Sequence, residues 1–216
     1  MILSAVIFDL DGTILEDEDE YGFAFNKVLK DLGIDSKTNM PQIKGISVKD
    51  NWLNLIKRYK IVTKKTIERL TKETQNAYLE KISDVTIRSG FAEFIEELKN
   101  SGINVALATS NTWEHTDKIL DIINLQGVFD VITTGDEVTF NKPDPEIFTI
   151  TADKLGVERY ECLVIEDSPS GVEAALRAGM KVATFITSGI DIKNQSKAGL
   201  MVESFSEISP EIIDQL

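Results

Sequence analysis

The stretch Val6-Ile7-Phe8-Asp9-Leu10-Asp11-Gly12-Thr13 decides the fold prediction. An apolar run leads into two carboxylates that are separated by one residue, and Gly12 allows the chain to turn sharply after them. In a doubly wound sheet, ligands bind beyond the carboxyl ends of the strands, so a working carboxylate is expected at this position. The stretch therefore predicts a buried parallel strand whose end carries chemistry.

Four further apolar runs, rich in β-branched residues, have the pattern of buried parallel strands. Together with the first run at 2–8 they are 103–108, 128–132, 162–165 and 181–185. Between most of them lie amphipathic segments with helical spacing, for example around Phe94 and Ile119. This alternation predicts an α/β fold with a doubly wound, Rossmann-like parallel sheet.

The alternation is missing after the first strand, where 21–32, 50–59 and 64–82 have the pattern of successive helices. We therefore predict an α/β core domain formed by 1–15 and 86–216, and an inserted α-helical cap domain formed by 16–85. Five consecutive acids at 16–20 open the insertion, and we expect them to form a solvated hinge that could disfavour highly anionic substrates.

The composition of the chain argues against some kinds of binding partner and favours others. The net charge of -13 opposes binding to nucleic acid and makes divalent cations the more natural partners. No apolar run approaches the roughly 18 residues of a membrane span, so we expect a cytoplasmic protein without a membrane partner. Cys162 is the only cysteine and lies in a predicted buried strand, which leaves no intrachain disulfide. Nothing in the sequence implies a protein partner.

Three further segments place polar side chains at predicted strand ends. Thr109-Ser110-Asn111 offers hydroxyl and amide donors at a helix start, which suits an anion. Lys142 precedes a proline that stiffens its loop, and its ammonium group could neutralise phosphate oxygens. Glu166 and Asp167 would complete, with Asp9, an oxygen-ligand set of the kind that Mg²⁺ prefers. Capping of the helices that follow is the alternative explanation for these polar groups.

These segments, in this order from Asp9 to Gly171, resemble the four motifs of the haloacid dehalogenase superfamily. The resemblance implies that Asp9 is a nucleophile and metal ligand. It implies that Asp11 gives its main-chain oxygen to the metal and its carboxyl group to proton transfer. It also implies that the strand carrying Asp9 is central and is flanked by the strands before Thr109 and Glu166.

The same resemblance assigns the remaining positions. Thr109 and Lys142 would bind the phosphoryl group, with Ser110 and Asn111 as further phosphate-binding residues. Asp167 is similar to the metal-ligating carboxylate of the superfamily, and Glu166 would support the metal directly or through water.

The insertion resembles the helical cap of β-phosphoglucomutases, but two positions depart from their pattern. Gly22 stands where those mutases have a histidine that controls phosphoryl transfer, and Val48 stands where they have a phosphate-binding arginine. Lys49 follows directly and is the better candidate for a substrate-facing residue. Gly22, Val48 and Lys49 are therefore the candidate determinants of substrate specificity.

The expected function is that of a Mg²⁺-dependent phosphatase that hydrolyses a small phosphorylated metabolite, such as a sugar or polyol phosphate, through an aspartyl-phosphate. One alternative is a sugar-phosphate mutase of the β-phosphoglucomutase type. An alternative from another class is a phosphate-accepting signalling or binding domain, although such receiver domains are shorter and lack a cap.

Two helical segments have simpler interpretations. His115, the only histidine, is expected in the first turn of a surface helix, without a catalytic role. Trp52, Leu53, Leu55 and Ile56 are expected to form the core of the cap.

Overall fold

A computed structural model describes residues 3–34, 42–186 and 198–213. Its main sheet is parallel throughout, with the strand order β5-β4-β1-β6-β7-β8. The strands are β1 (Ala5–Phe8), β4 (Asn104–Ala108), β5 (Val131–Thr133), β6 (Cys162–Glu166), β7 (Lys181–Phe185) and β8 (Leu200–Val202). The order runs outward in both directions from β1, with β4 on one side and β6 on the other, as expected.

Alternate side chains of β1 enter two separate cores, because successive residues of a strand point to opposite faces. Val6 and Phe8 belong to one cluster, while Ala5 and Ile7 belong to another. Helices α4 (Phe91–Asn100) and α5 (Trp113–Ile122) cover the first face, and α6 (Glu146–Leu155) and α7 (Pro169–Arg177) cover the second. This arrangement confirms the predicted doubly wound α/β fold. A short helix, α8 (Pro210–Ile213), ends the described chain.

Helices α1 (Glu18–Asp31), α2 (Val48–Tyr59) and α3 (Ile67–Leu79) pack on one another around Trp52 and Leu55. The indole nitrogen of Trp52 donates a hydrogen bond of 2.8 Å to the Thr74 hydroxyl, so its polar edge is satisfied inside the cluster. Trp52 and Leu55 are core residues as predicted, and Ile56 packs against the cluster. The prediction for Leu53 is wrong, because its side chain is 47% exposed.

Several element bounds differ from the prediction. The first strand begins at Ala5, while Met1 and Ile2 lie outside the described residues. The strand expected at 128–132 lies instead at Val131–Thr133. Two short strands were not anticipated: β2 (Leu15–Glu16) and β3 (Thr86–Ile87) pair antiparallel with each other, at either end of the segment that holds α1 to α3. β8 was not anticipated either.

The acidic segment 16–20 is only partly the solvated hinge that we expected, because Glu16, Glu18 and Asp19 are exposed but Asp17 is buried. Glu16 belongs to β2, and Glu18 opens α1. Asp17 between them is only 1% exposed, because it accepts hydrogen bonds inside the molecule. Within the described ranges, no helix combines the length and apolar character that a membrane crossing requires.

Candidate active site

Asp9 lies at the carboxyl end of β1 and contacts Lys142. The Asp9 backbone N–H donates to Ile165 O at 3.0 Å, which continues the pairing of β1 with β6 for one more residue. Lys142 Nζ donates to Asp9 Oδ1 at 2.5 Å and to Glu166 Oε1 at 2.7 Å. It also approaches the Ala108 carbonyl oxygen at 3.4 Å. Lys142 therefore bridges the ends of three neighbouring strands.

At the contact between Lys142 and Asp9, burial and the neighbouring charges shift the pKa values in opposite directions. Burial alone would lower the pKa of Lys142, but the carboxylates of Asp9 and Glu166 outweigh it and raise the pKa above its ordinary value. Burial raises the pKa of Asp9 well above its ordinary value, although Lys142 acts in the opposite direction. Lys142 is therefore a permanent cation, and Asp9 needs further positive charge beside it to remain ionised.

Glu166 is held by donors on both of its oxygens. Oε1 receives Lys142, and Oε2 accepts from the backbone N–H groups of Asp167 at 2.9 Å and Ser168 at 2.8 Å, and from the Ser168 hydroxyl at 2.9 Å. Gly171 makes this possible, since a Cβ there would lie 1.7 Å from Glu166 Oε1. The carboxylate is fully engaged, so it is better suited to supporting the site than to direct ligation of a metal.

Asp9, Glu166 and Asp167 form a buried carboxylate cluster. Each offers an oxygen, and these atoms lie within 4.8 Å of one another. Burial and the neighbouring Glu166 raise the pKa of Asp167 to about 8. Three buried carboxylates beside a single ammonium leave an excess of negative charge, and oxygen ligands of this kind fit a hard divalent cation. Because both oxygens of Glu166 are engaged, Asp9 and Asp167 are the better side-chain ligands.

Asp11 is oriented by Asn111. Asn111 Nδ2 donates to Asp11 Oδ2 at 2.7 Å, which joins the segment after β4 to the end of β1. Asp11 Oδ1 is buried without a hydrogen-bond partner among the described residues. Burial raises the pKa of Asp11, while the neighbouring side chains of Asp17, Tyr21 and Asn111 lower it. The carboxyl group is therefore held in one orientation and is poised to exchange a proton.

Asp17 lies beside Asp11 and was not predicted from the sequence. It accepts from the Gly12 backbone N–H at 3.0 Å and from the Tyr78 hydroxyl at 2.7 Å. Burial and the Asp11 carboxylate raise the pKa of Asp17 well above its ordinary value. Asp17 thus retains a proton more readily than a free aspartate, and a protonated Asp17 can donate to Asp11.

Tyr21 is a second residue that sequence reasoning missed. Its hydroxyl donates to Asn111 Oδ1 at 3.2 Å and lies 3.4 Å from His115 Nε2, and its ring stacks on Tyr78 with centroids 4.2 Å apart. Burial raises the pKa of Tyr21, so the phenol keeps its proton. The position of Tyr21 on α1 gave no signal, because only the packing of α1 against the core reveals it.

His115 is in the first turn of α5, as predicted, but it is not on the surface. It is only 2% exposed, and its ring meets the Tyr78 ring edge-on at 5.4 Å. Burial lowers the pKa of His115 to about 4, so the ring is neutral at pH 7. The error arose because the sequence does not show that α1 and α3 cover this end of α5.

The three residues of the predicted phosphate-binding segment, 109–111, differ in their access to the cavity. Thr109 is fully buried, and its hydroxyl accepts from the Asn111 backbone N–H at 3.2 Å. Ser110 and Asn111 line a cavity of about 510 Å³ together with Asp9, Asp11 and Asp167. Thr109 therefore shapes the turn, while the next two residues face the space where a ligand would bind.

Loop 42–47, between α1 and α2, closes over this cavity. The Ser110 hydroxyl donates to Gly45 O at 3.3 Å, and the Ser170 hydroxyl donates to Lys44 O at 3.1 Å. A Cβ on Gly45 would lie 2.0 Å from Ser168 Oγ, and its φ of +76° also favours glycine. The loop therefore depends on Gly45 to approach the end of the sheet.

The three candidate specificity residues do not lie together. Gly22 and Val48 line the main cavity. Lys49 is exposed and lines a second cavity, of about 350 Å³, between α3 and α5. The structure therefore does not support Lys49 as a residue that faces a ligand at Asp9.

Comparison with known proteins agrees with this geometry. Residues 6–185 match the family described as haloacid dehalogenase-like hydrolase. A phosphorylated carbohydrates phosphatase from Thermotoga maritima is 30% identical over 98% of this chain and 96% of its own. A CbbY variant from Rhodobacter sphaeroides in complex with xylulose-(1,5)-bisphosphate superposes with a TM-score of 0.86, at 25% identity and 97% coverage of both chains.

A β-phosphoglucomutase from Clostridium difficile superposes with a TM-score of 0.85, at 28% identity, over 100% of this chain and 96% of its own. The family match extends from β1 to β7 and includes each of the four predicted motifs. The resemblance that was inferred from those motifs is confirmed: the chain belongs to the haloacid dehalogenase-like hydrolase family.

Proposed function

We propose that this protein is a Mg²⁺-dependent phosphatase that hydrolyses a small sugar or polyol phosphate through a phosphorylated Asp9. The observation that carries the proposal is the pairing of two aspartates with different environments on one cavity wall. Asp9 contacts a permanent cation, Lys142, whereas Asp11 contacts a neutral amide, Asn111. A carboxylate beside a cation is suited to attack, and an aspartate held in place by a neutral amide is suited to proton transfer.

Asp9 and Asp167 would hold the metal, and the resemblance to the family adds the main-chain oxygen of Asp11. When bound, the metal supplies positive charge that keeps Asp9 ionised and screens it from an incoming phosphate. Glu166 would support the metal site without direct ligation, because Lys142 and the backbone of 167–168 already occupy its oxygens.

In the first step, a carboxylate oxygen of Asp9 attacks phosphorus and the bond from phosphorus to the ester oxygen breaks. Asp11 gives its proton to the departing oxygen, which leaves as an alcohol. Lys142 stays beside Asp9 and offsets the negative charge of the phosphoryl oxygens. Ser110 and Asn111 line the same space and are the candidate phosphate-binding residues there.

In the second step, the ionised Asp11 removes a proton from water, and the resulting nucleophile attacks phosphorus. The bond between phosphorus and the Asp9 oxygen breaks, which releases inorganic phosphate and regenerates both aspartates. Asn111 keeps the Asp11 carboxyl group in one orientation for both proton transfers.

The sugar or polyol class rests on the relatives and on the cavity. The Thermotoga maritima relative is named for phosphorylated carbohydrates, and the CbbY structure contains a sugar bisphosphate. The cavity of this chain, about 510 Å³, has the volume of a small-metabolite site. Its amide side chains, such as Asn26 and Gln42, suit hydroxyl groups.

A sugar-phosphate mutase is the second candidate, because the fold superposes on a β-phosphoglucomutase with a TM-score of 0.85. Gly22 favours hydrolysis instead. It lines the cavity and has no side chain, and among the described residues outside its own helical turn no atom lies within 4 Å of the point where a Cβ would lie. Water has room there, whereas a mutase must exclude it. Membership of a hydrolase family disfavours the signalling-domain alternative.

The proposal is tested by phosphate release from a panel of sugar and polyol phosphates, with and without Mg²⁺. We expect Asp9→Asn to abolish release, because the amide cannot form the phosphoenzyme, and Asp11→Asn to slow it and to trap phosphate on the protein. Full turnover by Asp9→Asn would overturn the mechanism. Conversion of a sugar 1-phosphate to its 6-phosphate without free phosphate would identify the mutase.

A further inference from the structure

The cavity above Asp9 has almost no positive charge that could bind a second phosphate group of a ligand. Away from the reacting carboxylates its walls are neutral amides and apolar side chains. They include Asn26, Gln42 and Asn51, together with Phe25, Ile46 and Val48. Two acids of segment 16–20 also line the cavity, Asp17 and Glu18.

Lys44 is the one basic residue that lines this cavity within the described part of the chain. Its ammonium group forms an ion pair with Glu18, across the gap between loop 42–47 and the start of α1. Both side chains remain partly exposed, at 30% for Lys44 and 43% for Glu18. The cation is therefore present at the cavity but already neutralised.

Within the ranges that the structure describes, no other lysine is available to a ligand in this cavity. Lys142 is fully buried and shared between Asp9 and Glu166. Lys49 is exposed and lines the separate cavity between α3 and α5. A ligand phosphate far from Asp9 would thus meet a neutral ion pair, and a neighbouring aspartate, where electrostatic complementarity requires free cations.

We propose that the Glu18–Lys44 ion pair makes this protein select phosphate monoesters with an uncharged polyol tail over sugar bisphosphates. The inference rests on the proposed function, because it names the substrate class of the same site. Glu18 is then a specificity-determining residue that acts by neutralising Lys44. Removal of the Glu18 charge would turn Lys44 into a free cation and admit a second phosphate.

The test measures binding of fructose 6-phosphate and fructose 1,6-bisphosphate by titration calorimetry, at saturating Mg²⁺. An Asp9→Asn background prevents turnover, so affinity is measured separately from catalysis. We expect the monophosphate to bind at least as tightly as the bisphosphate in this background. Adding Glu18→Gln should increase the affinity for the bisphosphate about tenfold and the affinity for the monophosphate less than about threefold.

Two further variants isolate the cause. Asp19→Asn makes the same charge change one residue away, at an exposed position that does not line the cavity, and should leave the ratio of the two affinities unchanged. Glu18→Gln combined with Lys44→Met should lose the gain, because the freed cation is gone. An unchanged ratio in Glu18→Gln, an equal effect of Asp19→Asn, or no binding of either sugar would overturn the proposal.

The outcome is separable from that of the proposed function. If the protein with Asp9 intact releases no phosphate from any ester but the binding pattern holds, the phosphatase proposal fails and the selectivity stands. If phosphate is released and the binding pattern is absent, the selectivity proposal fails alone.

Discussion

Lys142 is enclosed by acids, and its removal would leave charges without a partner. Lys142→Met should lower the free energy of unfolding by about 3 kcal/mol, because Asp9 and Glu166 would remain buried beside each other. Lys154→Met is the matched control, since Lys154 pairs with Glu137 at the surface, and should cost less than about 1 kcal/mol. Urea unfolding measures both. Equal losses would show that burial does not amplify the Lys142 contacts.

His115 should make stability depend on pH. Its pKa is about 4 in the folded chain and about 6.5 when unfolded, so the unfolded chain binds an extra proton between these values. Stability from this residue is complete above about pH 6.5 and falls as the pH decreases. Buried acids with raised pKa values act in the opposite direction, so the comparison must isolate the histidine.

The His115→Gln variant provides that comparison. Between pH 7 and pH 5 the wild-type chain should lose up to about 2 kcal/mol more unfolding free energy than the variant does. Urea unfolding at the two pH values gives the difference directly. Parallel losses in both proteins would mean that His115 is not held neutral by burial.

Residues that follow strands were predictable, and residues that reach the site from the helices were not. Asp9, Lys142 and Asp167 stand in ordered motifs, and the parallel sheet brings strand ends together. Asp17 and Tyr21 are placed by contacts with Tyr78 of α3, and this packing of α1 against α3 depends on the rotation of the helix. Local sequence does not encode that rotation.

Among the elements, loop 42–47 contacts the residues that follow β4 and β6. Gly45→Ala should lower kcat/KM at least about tenfold, because the new Cβ collides with Ser168 and moves the loop from the cavity. Gly33→Ala is a matched control: its φ is +75°, close to the +76° of Gly45, but among the described residues, apart from its chain neighbours, nothing lies within 4 Å of its Cβ position.

Both glycine variants should lose about 1 kcal/mol of stability from the left-handed backbone, so only the contact with Ser168 separates them. Steady-state kinetics and urea unfolding measure the two effects independently. A Gly45→Ala enzyme with unchanged kcat/KM would show that the loop does not need its close approach.

Long elements were predicted well because each has enough residues to display a period. The strand Lys181–Phe185 was predicted at its observed bounds. The shift of β5 has a local cause: Asp130 N donates to Val105 O, and Asp130 Oδ2 accepts from Val105 N, both at 2.8 Å. These contacts begin the pairing with β4 after 128–129. The strands β2 and β3 are each two residues long, which is too short for an alternation of apolar and polar residues to be recognised.

The whole molecule carries a net charge of -13 and buries several acids at one place. Mg²⁺ should therefore stabilise the fold, by about 2.7 kcal/mol at one hundred times its dissociation constant. Asp167→Asn should abolish this gain while leaving the metal-free protein at least as stable, because burial and the neighbouring Glu166 already disfavour the charged form of Asp167. Thermal unfolding with Mg²⁺, against sodium chloride of equal ionic strength, measures the gain. A full gain in Asp167→Asn would remove Asp167 from the metal site.

β2 and β3 pair antiparallel where the chain leaves the main sheet and returns to it. The chain leaves the sheet at Leu15–Glu16 and returns at Thr86–Ile87, and these two passages lie side by side. Arg88 holds the returning strand in place, since its guanidinium group donates hydrogen bonds to the carbonyl oxygens of Gly12 and Thr13 at 2.6 and 2.9 Å. Any inserted sequence whose ends lie equally close would satisfy the same junction. The segment between these two passages can therefore be exchanged in evolution without moving the strand ends that carry Asp9 and Asp167.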